Sequence, residues 1–148
     1  MPPLSGAPWR GLGEQNAGDW VDTNILVRYL TQDDPHQSSR GGEIIELGLT
    51  PEEPGFVSLV TMVELNWVLR SFYEFTDEQI AAAIERLLQI ETLVFQNEDQ
   101  VFIAMMTFKA GTASFSDALI GALGRWAGCS ATVTFDRKAA RLKDFKLV

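Results

Sequence analysis

From Trp20 onward the apolar positions alternate between helical stripes and short continuous runs. Trp20-Val21 is an apolar stub ending at Asp22, and after it Ile25, Leu26, Tyr29 and Leu30 fall on one helical stripe. Asp33-Asp34-Pro35 supplies an acidic cap and a proline at a first helical position, which predicts a second helix from there to about Leu47. Gly55-Phe56-Val57-Ser58 reads as a short buried strand between a Pro-Glu-Glu-Pro turn and a helix starting near Thr61 that carries Met62, Leu65, Val68 and Leu69. Thr76-Asp77 caps the next helix, where Ile80, Ala83, Ile84, Leu87 and Leu88 fill the i, i+3, i+4, i+7, i+8 template. Thr92 to Phe95 is strand-like. A further helix carries Val101, Phe102, Met105 and Phe108 inward and ends at Gly111. Leu119, Ala122, Leu123 and Trp126 mark another, closed by Gly128. Ala131 to Phe135 is a β-branched run, Arg137 to Leu142 a short helix, and Phe145 to Val148 a last strand.

Short strands alternating with helices imply βαβ units and a parallel sheet covered on both faces. The expected fold class is therefore α/β: a three-layer α/β/α domain over residues 19–148, with a central, mostly parallel sheet of four to five short strands. Residues 1–18 are rich in Pro, Gly and polar side chains, lack periodicity, and are expected to be a disordered or loosely attached leader. At 148 residues the chain is one domain's worth, enough to bury roughly 68–70% of its unfolded surface. With 46% apolar and 22% charged residues it is globular in composition.

Charge and rare residues narrow the chemistry. The one cysteine, Cys129, and the one histidine, His36, exclude a disulfide framework, a multi-cysteine zinc site and a histidine-cluster metal site. No run approaches the ~18 apolar residues of a membrane span, and no secretory signal opens the chain, so a cytoplasmic protein with no membrane partner is expected. The net charge of −8 argues against a protein that coats nucleic acid by bulk electrostatics. A local basic patch does exist. Arg137, Lys138, Arg141, Lys143 and Lys146 against Asp144 leave the last twelve residues at 5 − 1 = +4, as a nucleic-acid contact or as a solvated face.

In an open parallel sheet, ligands collect beyond the C-terminal ends of the strands. Asp22, Glu64, Asp117 and Asp136 come from four separate strand–helix or loop–helix junctions. Each has an ordinary explanation too: Asp22 and Asp136 as N-caps, Thr61-x-x-Glu64 and Ser114-x-x-Asp117 as capping boxes. Two features favour chemistry. Glu64 shares a helical face with Val60, Trp67 and Val68, where a carboxylate needs a cation, and from Trp20 to Phe135 no basic residue lies within three positions of a candidate acid. Two like charges ~4 Å apart repel by about 4 kcal/mol at an effective dielectric of 20, so clustered carboxylates need a counter-charge. Hard oxygen donors without His or Cys suit Mg²⁺ or Mn²⁺, ions that activate water and stabilise charge on a phosphoryl oxygen.

Val21-Asp22-Thr23-Asn24-Ile25-Leu26-Val27-Arg28-Tyr29-Leu30 resembles the opening motif of PIN-domain ribonucleases, specifically VapC-type toxins of toxin–antitoxin pairs. Val57-Ser58-x-x-Thr61-x-Val63-Glu64-x-x-Trp67-Val68-Leu69 resembles their second acidic motif, Phe115-Ser116-Asp117-Ala118-Leu119-Ile120 the third, and Thr134-Phe135-Asp136-Arg137-Lys138-Ala139-Ala140 the fourth. The resemblance runs from about Trp20 to Val148 with the motifs in order. It implies an acidic pocket of Asp22, Glu64, Asp117 and Asp136, with Asp22 and Asp117 as direct Mg²⁺ or Mn²⁺ ligands and Asn24 and Thr134 as supporting polar groups. It also implies metal-dependent hydrolysis of single-stranded RNA, homodimerisation and inhibition by a cognate antitoxin. Arg28, Arg137 and Lys138 are candidates to steer the RNA backbone. The leader and the short, polar Ala17-Gly18-Asp19 approach to the first strand depart from the family pattern.

The remaining candidates read plainly. His36 is expected to be an exposed surface histidine and Cys129 a packed thiol. Gly121, Gly124 and Gly128 lie within a helix, as close-packing positions, and not in a phosphate loop. Trp67, Phe72 and Tyr73 form an aromatic cluster, either core or dimer surface. A phosphatase of the haloacid dehalogenase type needs a second aspartate two residues after Asp22, where Asn24 stands. A receiver-like module would want paired acids near the first strand and a lysine where Asp136 falls. A catalytically silent PIN-fold binding module is the alternative that retains all the motifs.

Overall fold

The computed structural model describes residues 19–31 and 41–148. The leader, the Asp33-Asp34-Pro35 punctuation and His36 lie outside the described residues. These form two compact units, 19–97 and Glu98–Val148, each with its own parallel strand pair.

In the first unit, Val21 leads directly into helix α1, Thr23–Thr31, whose first turn closes on the Asp22 carbonyl (Ile25 N at 3.1 Å). Strands β1, Gly55–Val57, and β2, Leu93–Phe95, pair in parallel with Phe56 opposite Val94. Gly55 N and the Val57 carbonyl turn toward β2, whereas Phe56 donates to the Asp19 carbonyl and accepts from Val21 N, both at 2.8 Å. Because backbone polar groups alternate sides along a strand, Trp20 bridges β1 on the edge away from β2. All of β1 is buried, as a parallel strand covered on both faces should be. Gly55 is needed there: a Cβ would come within 2.6 Å of Val21 Cγ2 and Leu49 Cδ1.

Helix α2, Leu59–Ser71, begins two residues earlier than the sequence predicts. Ser58, in extended backbone, is its N-cap and accepts from Thr61 N at 3.1 Å, so Thr61 is inside the first turn and forms no capping box with Glu64. Met62, Leu65 and Leu69 are buried, joined by Asn66, whose buried Oδ1 has no hydrogen-bond partner among the described residues. Helix α3, Asp77–Leu88, follows its pattern closely. Thr76 and Gln79 form a full capping box (3.2 and 2.8 Å), and Ile80, Ala83, Ile84 and Leu87 are buried. Of the predicted second helix, residues 41–43 are helical and Ile44–Gly48 form a π-turn.

The second unit opens with α4, Glu98–Lys109, and α5, Phe115–Trp126, packed together with Phe108 edge-on to Phe115 at 6.2 Å. The α4 core stripe is Val101, Ala104, Met105 and Phe108, an i, i+3, i+4, i+7 set. Phe102, one position off it and so about 100° around the helix, is exposed. Gly111 (φ 83°) and Gly128 (φ 89°) take left-handed conformations just after α4 and α5, so Gly128 is a helix stop outside the helix. Cys129 is exposed, not packed, because the chain leaves the helix there. Strands β3, Thr132–Thr134, and β4, Phe145–Leu147, pair in parallel. The predicted helix before β4 is a single 3₁₀ turn, Ala139–Arg141. Four of the predicted strands are present at three residues each, the Trp20-Val21 stub makes a single bridge, and among the described residues the ladders are two separate parallel pairs in place of one central sheet. No described helix is long and apolar enough to cross a membrane.

Candidate active site

Three of the four candidate acids sit where peptide dipoles present partial positive charge. Asp22 immediately precedes α1 and is exposed. Asp117 is the third residue of α5, half-buried, and its own N–H donates to the Ser114 hydroxyl at 3.1 Å. That is half of the expected capping box, with Ser114 as the cap and Asp117 near the positive end of the helix. Asp136 follows β3, and its Oδ1 accepts from Lys138 N at 2.8 Å and Ala139 N at 3.3 Å. The ordinary capping explanation of Asp136 is therefore realised, and it leaves Oδ2 outside both bonds.

Glu64 differs. It is the sixth residue of α2 and exposed, on a face where Val60 and Trp67 are exposed as well (74% and 56%). The expected desolvation of Glu64 by apolar neighbours is thus absent: that face is apolar but open to water. Trp67 and Phe72 (69% exposed) stack edge to face at 5.4 Å on the surface, so those two rings are not core.

The supporting residues are partly legible. Thr134 Oγ1 accepts from Asp136 N at 3.0 Å and so fixes the backbone that aims Asp136. Asn24 is exposed in the first turn of α1. Arg28 donates to the Tyr73 hydroxyl at 3.1 Å, while Arg137 and Lys138 are exposed beside Asp136. Two positioning residues were not among the predicted ones. Ser58 and Gln96 together hold the start of α2, with Gln96 Oε1 accepting from Leu59 N at 2.9 Å. The signal for Gln96 was its place just past a strand's C-terminal end, where polar groups of a parallel sheet gather. At Glu98, partial burial, and then the charge of Asp99, hold the carboxyl above the usual carboxylate range.

Whether a divalent cation suits this chain turns on the donors. Among the described residues, no Lys or Arg forms an ion pair with Asp22, Glu64, Asp117 or Asp136. All four offer hard carboxylate oxygens, the donor type Mg²⁺ and Mn²⁺ take. Among the described residues, no three His, Cys, Asp or Glu side chains are grouped to hold a metal ion. Asp22 and Glu64 belong to the first unit, Asp117 and Asp136 to the second. The donor chemistry fits such an ion, and the fit stands on chemistry alone.

Parallel β–α units with carboxylates at their strand and helix junctions define an α/β protein. Residues 20–144 match the family described as PIN domain, and the chain belongs to that family. The family fold is a three-layer α/β/α arrangement, and PIN domains are generally metal-dependent nucleases. Comparison with curated proteins gives no match.

Proposed function

We propose that the protein is a divalent-metal-dependent endoribonuclease acting as the VapC-type toxin of a toxin–antitoxin pair in the cytoplasm. The observation that carries this reading is the set of four carboxylates at the four family motif positions, each without a cationic side-chain partner among the described residues. Asp22 and Asp117 would hold Mg²⁺ or Mn²⁺, with Glu64 and Asp136 orienting water. When bound, the cation supplies Lewis acidity to water and to the phosphoryl oxygen. The chain's own groups do the rest. Thr134 and the amides of Lys138 and Ala139 fix the orientation of Asp136. Asn24 supports the Asp22 end, and Arg28, Arg137 and Lys138 attract the RNA backbone.

Two protein partners belong to the same reading: a cognate antitoxin that covers the acids, and a second copy of the chain. The open apolar face of α2, with Val60, Trp67 and Phe72, supports the homodimer. Membership of the PIN family sets the phosphatase reading aside, and a silent binding module is the outcome the test separates. Cellular RNA incubated with the protein and Mg²⁺, Mn²⁺ or chelator is resolved on a denaturing gel. Metal-dependent cleavage that falls to background in Asp22→Asn and in Asp117→Asn, with folding retained, is expected. Undiminished cleavage in both variants would overturn the site, and no cleavage by the parent under either metal would leave the silent module.

A further inference from the structure

The second unit holds a cavity of about 610 Å³, within the size range of small-molecule sites. It lies where α5 ends and β4 begins. Asp117 is eight residues back along α5 from Arg125, about 12 Å at 1.5 Å per residue. Along the strand pair, Phe145 lies opposite Thr132, four residues and so about 13 Å before Asp136. The cavity reaches up α5 to Ala118, beside Asp117, whereas its Trp126, Arg141 and Lys143 end lies away from the Asp117 and Asp136 carboxylates.

Its floor is small and apolar: Ala118, Gly121 and Ala122, closed by the ring of Phe145, with a Gly121 Cβ destined to fall 2.8 Å from Phe145 Cε2. Its walls carry Trp126, 44% exposed, together with Arg125, Arg141, Lys143 and Asp144. Asp144 Oδ2 accepts from Arg125 at 3.4 Å, so the one acid of the cavity is matched to one base, while Arg141 and Lys143 remain exposed. A net-positive cavity is unexpected in a protein of charge −8. The asymmetry is regional: Glu98–Val148 holds 7 basic and 5 acidic residues, whereas the preceding chain holds 5 and 15. An apolar floor, an open indole and two unmatched cations complement a ligand with an aromatic ring and an anionic group.

We infer that this cavity binds a nucleotide, its base against Trp126 and its phosphate between Arg141 and Lys143. The basic chain from Arg137 to Lys146 runs between Asp136 and this cavity. If the nuclease reading holds, on which this placement relative to the cut rests, the nucleotide belongs to the RNA strand and the cavity anchors it at a distance from the acids. Base–aromatic stacking is worth about 1–3 kcal/mol per base and tolerates any sequence, which suits an anchor.

The test uses the full chain with chelator present, so that binding is read apart from cleavage. Titration calorimetry with 5′-AMP, with a single-stranded RNA hexamer and with an acidic tryptophan-containing peptide separates the sources. Binding of the hexamer or of 5′-AMP, weakened tenfold or more by Arg141→Glu/Lys143→Glu and by Trp126→Ala but retained by Trp126→Phe, is expected. Hexamer alone identifies a strand, and 5′-AMP alone a free nucleotide. Loss of cleavage in Asp117→Asn with Mg²⁺ present tests the nuclease reading separately. Nucleotide binding that is absent, indifferent to these variants, or replaced by peptide binding would overturn the inference.

Discussion

The two units solve the parallel-strand problem differently. β1 and β2 are built from Gly-Phe-Val and Leu-Val-Phe, and five of those six residues are buried. β3 and β4 have the same length and direction, yet none of their residues is buried, and Val133 is 66% exposed. Burial on both faces lets β1 and β2 draw on the hydrophobic effect, whereas β3 and β4 are held by backbone ladders and by the side chains of α5. Charge divides along the same line, with the acidic excess in the first unit and the basic excess in the second. The lesson is a division of labour: the first unit buries its strands, and the second, whose core lies between α4 and α5, exposes its strands and cations.

The comparison breaks most visibly under core deletion. Phe95→Ala, which empties a fully buried site at the end of β2, should cost about 3–5 kcal/mol, while Val133→Ala in β3 stays within about 0.5 kcal/mol. Equal costs in chemical denaturation would erase the contrast. Next in size are the caps. Ser58→Ala and Ser114→Ala should each cost about 1 kcal/mol, and Ser114→Ala should also lower cleavage through Asp117, since it frees the first turn of α5.

Asn66→Leu acts in the opposite direction. Replacing the buried, unpartnered Oδ1 should stabilise the first unit by about 1 kcal/mol, read as a higher denaturant midpoint. The smallest effect concerns Glu98. Its carboxyl titrates above the ordinary 4.5 in the folded protein, so the parent binds more protons folded than unfolded and loses stability as pH rises through that window. Glu98→Gln removes this term, and its stability relative to the parent should therefore be greater at pH 7 than at pH 4. A difference independent of pH would show Glu98 to be unperturbed.

How much of this was legible in the sequence depended on the reach of the interactions. The capping box at Thr76 and the stripe of α3 are set within a few residues, and both appear as the pattern predicts. Gly111 and Gly128 mark helix ends for the same local reason. Phe102, Cys129 and the run around Val133 read as interior because apolar composition does not say which side of an element meets the rest of the chain. Packing decides that, and it turned all three outward. Of the site, the positions of Asp22, Asp117 and Asp136 at element junctions were readable. The two amides on Asp136 and the Gln96 bond across 37 residues to Leu59 were not, since both depend on where distant backbone comes to rest.

The proposed function has Asp22 and Asp117 hold one cation, and Mn²⁺ binding in a double-mutant cycle tests that proposal most directly. Electron paramagnetic titration of the parent, Asp22→Asn, Asp117→Asn and the double variant gives the four affinities. The account predicts that either single substitution removes most binding at the same site and that the double variant loses little more. Independent losses that add, or a parent affinity untouched by either change, would contradict it.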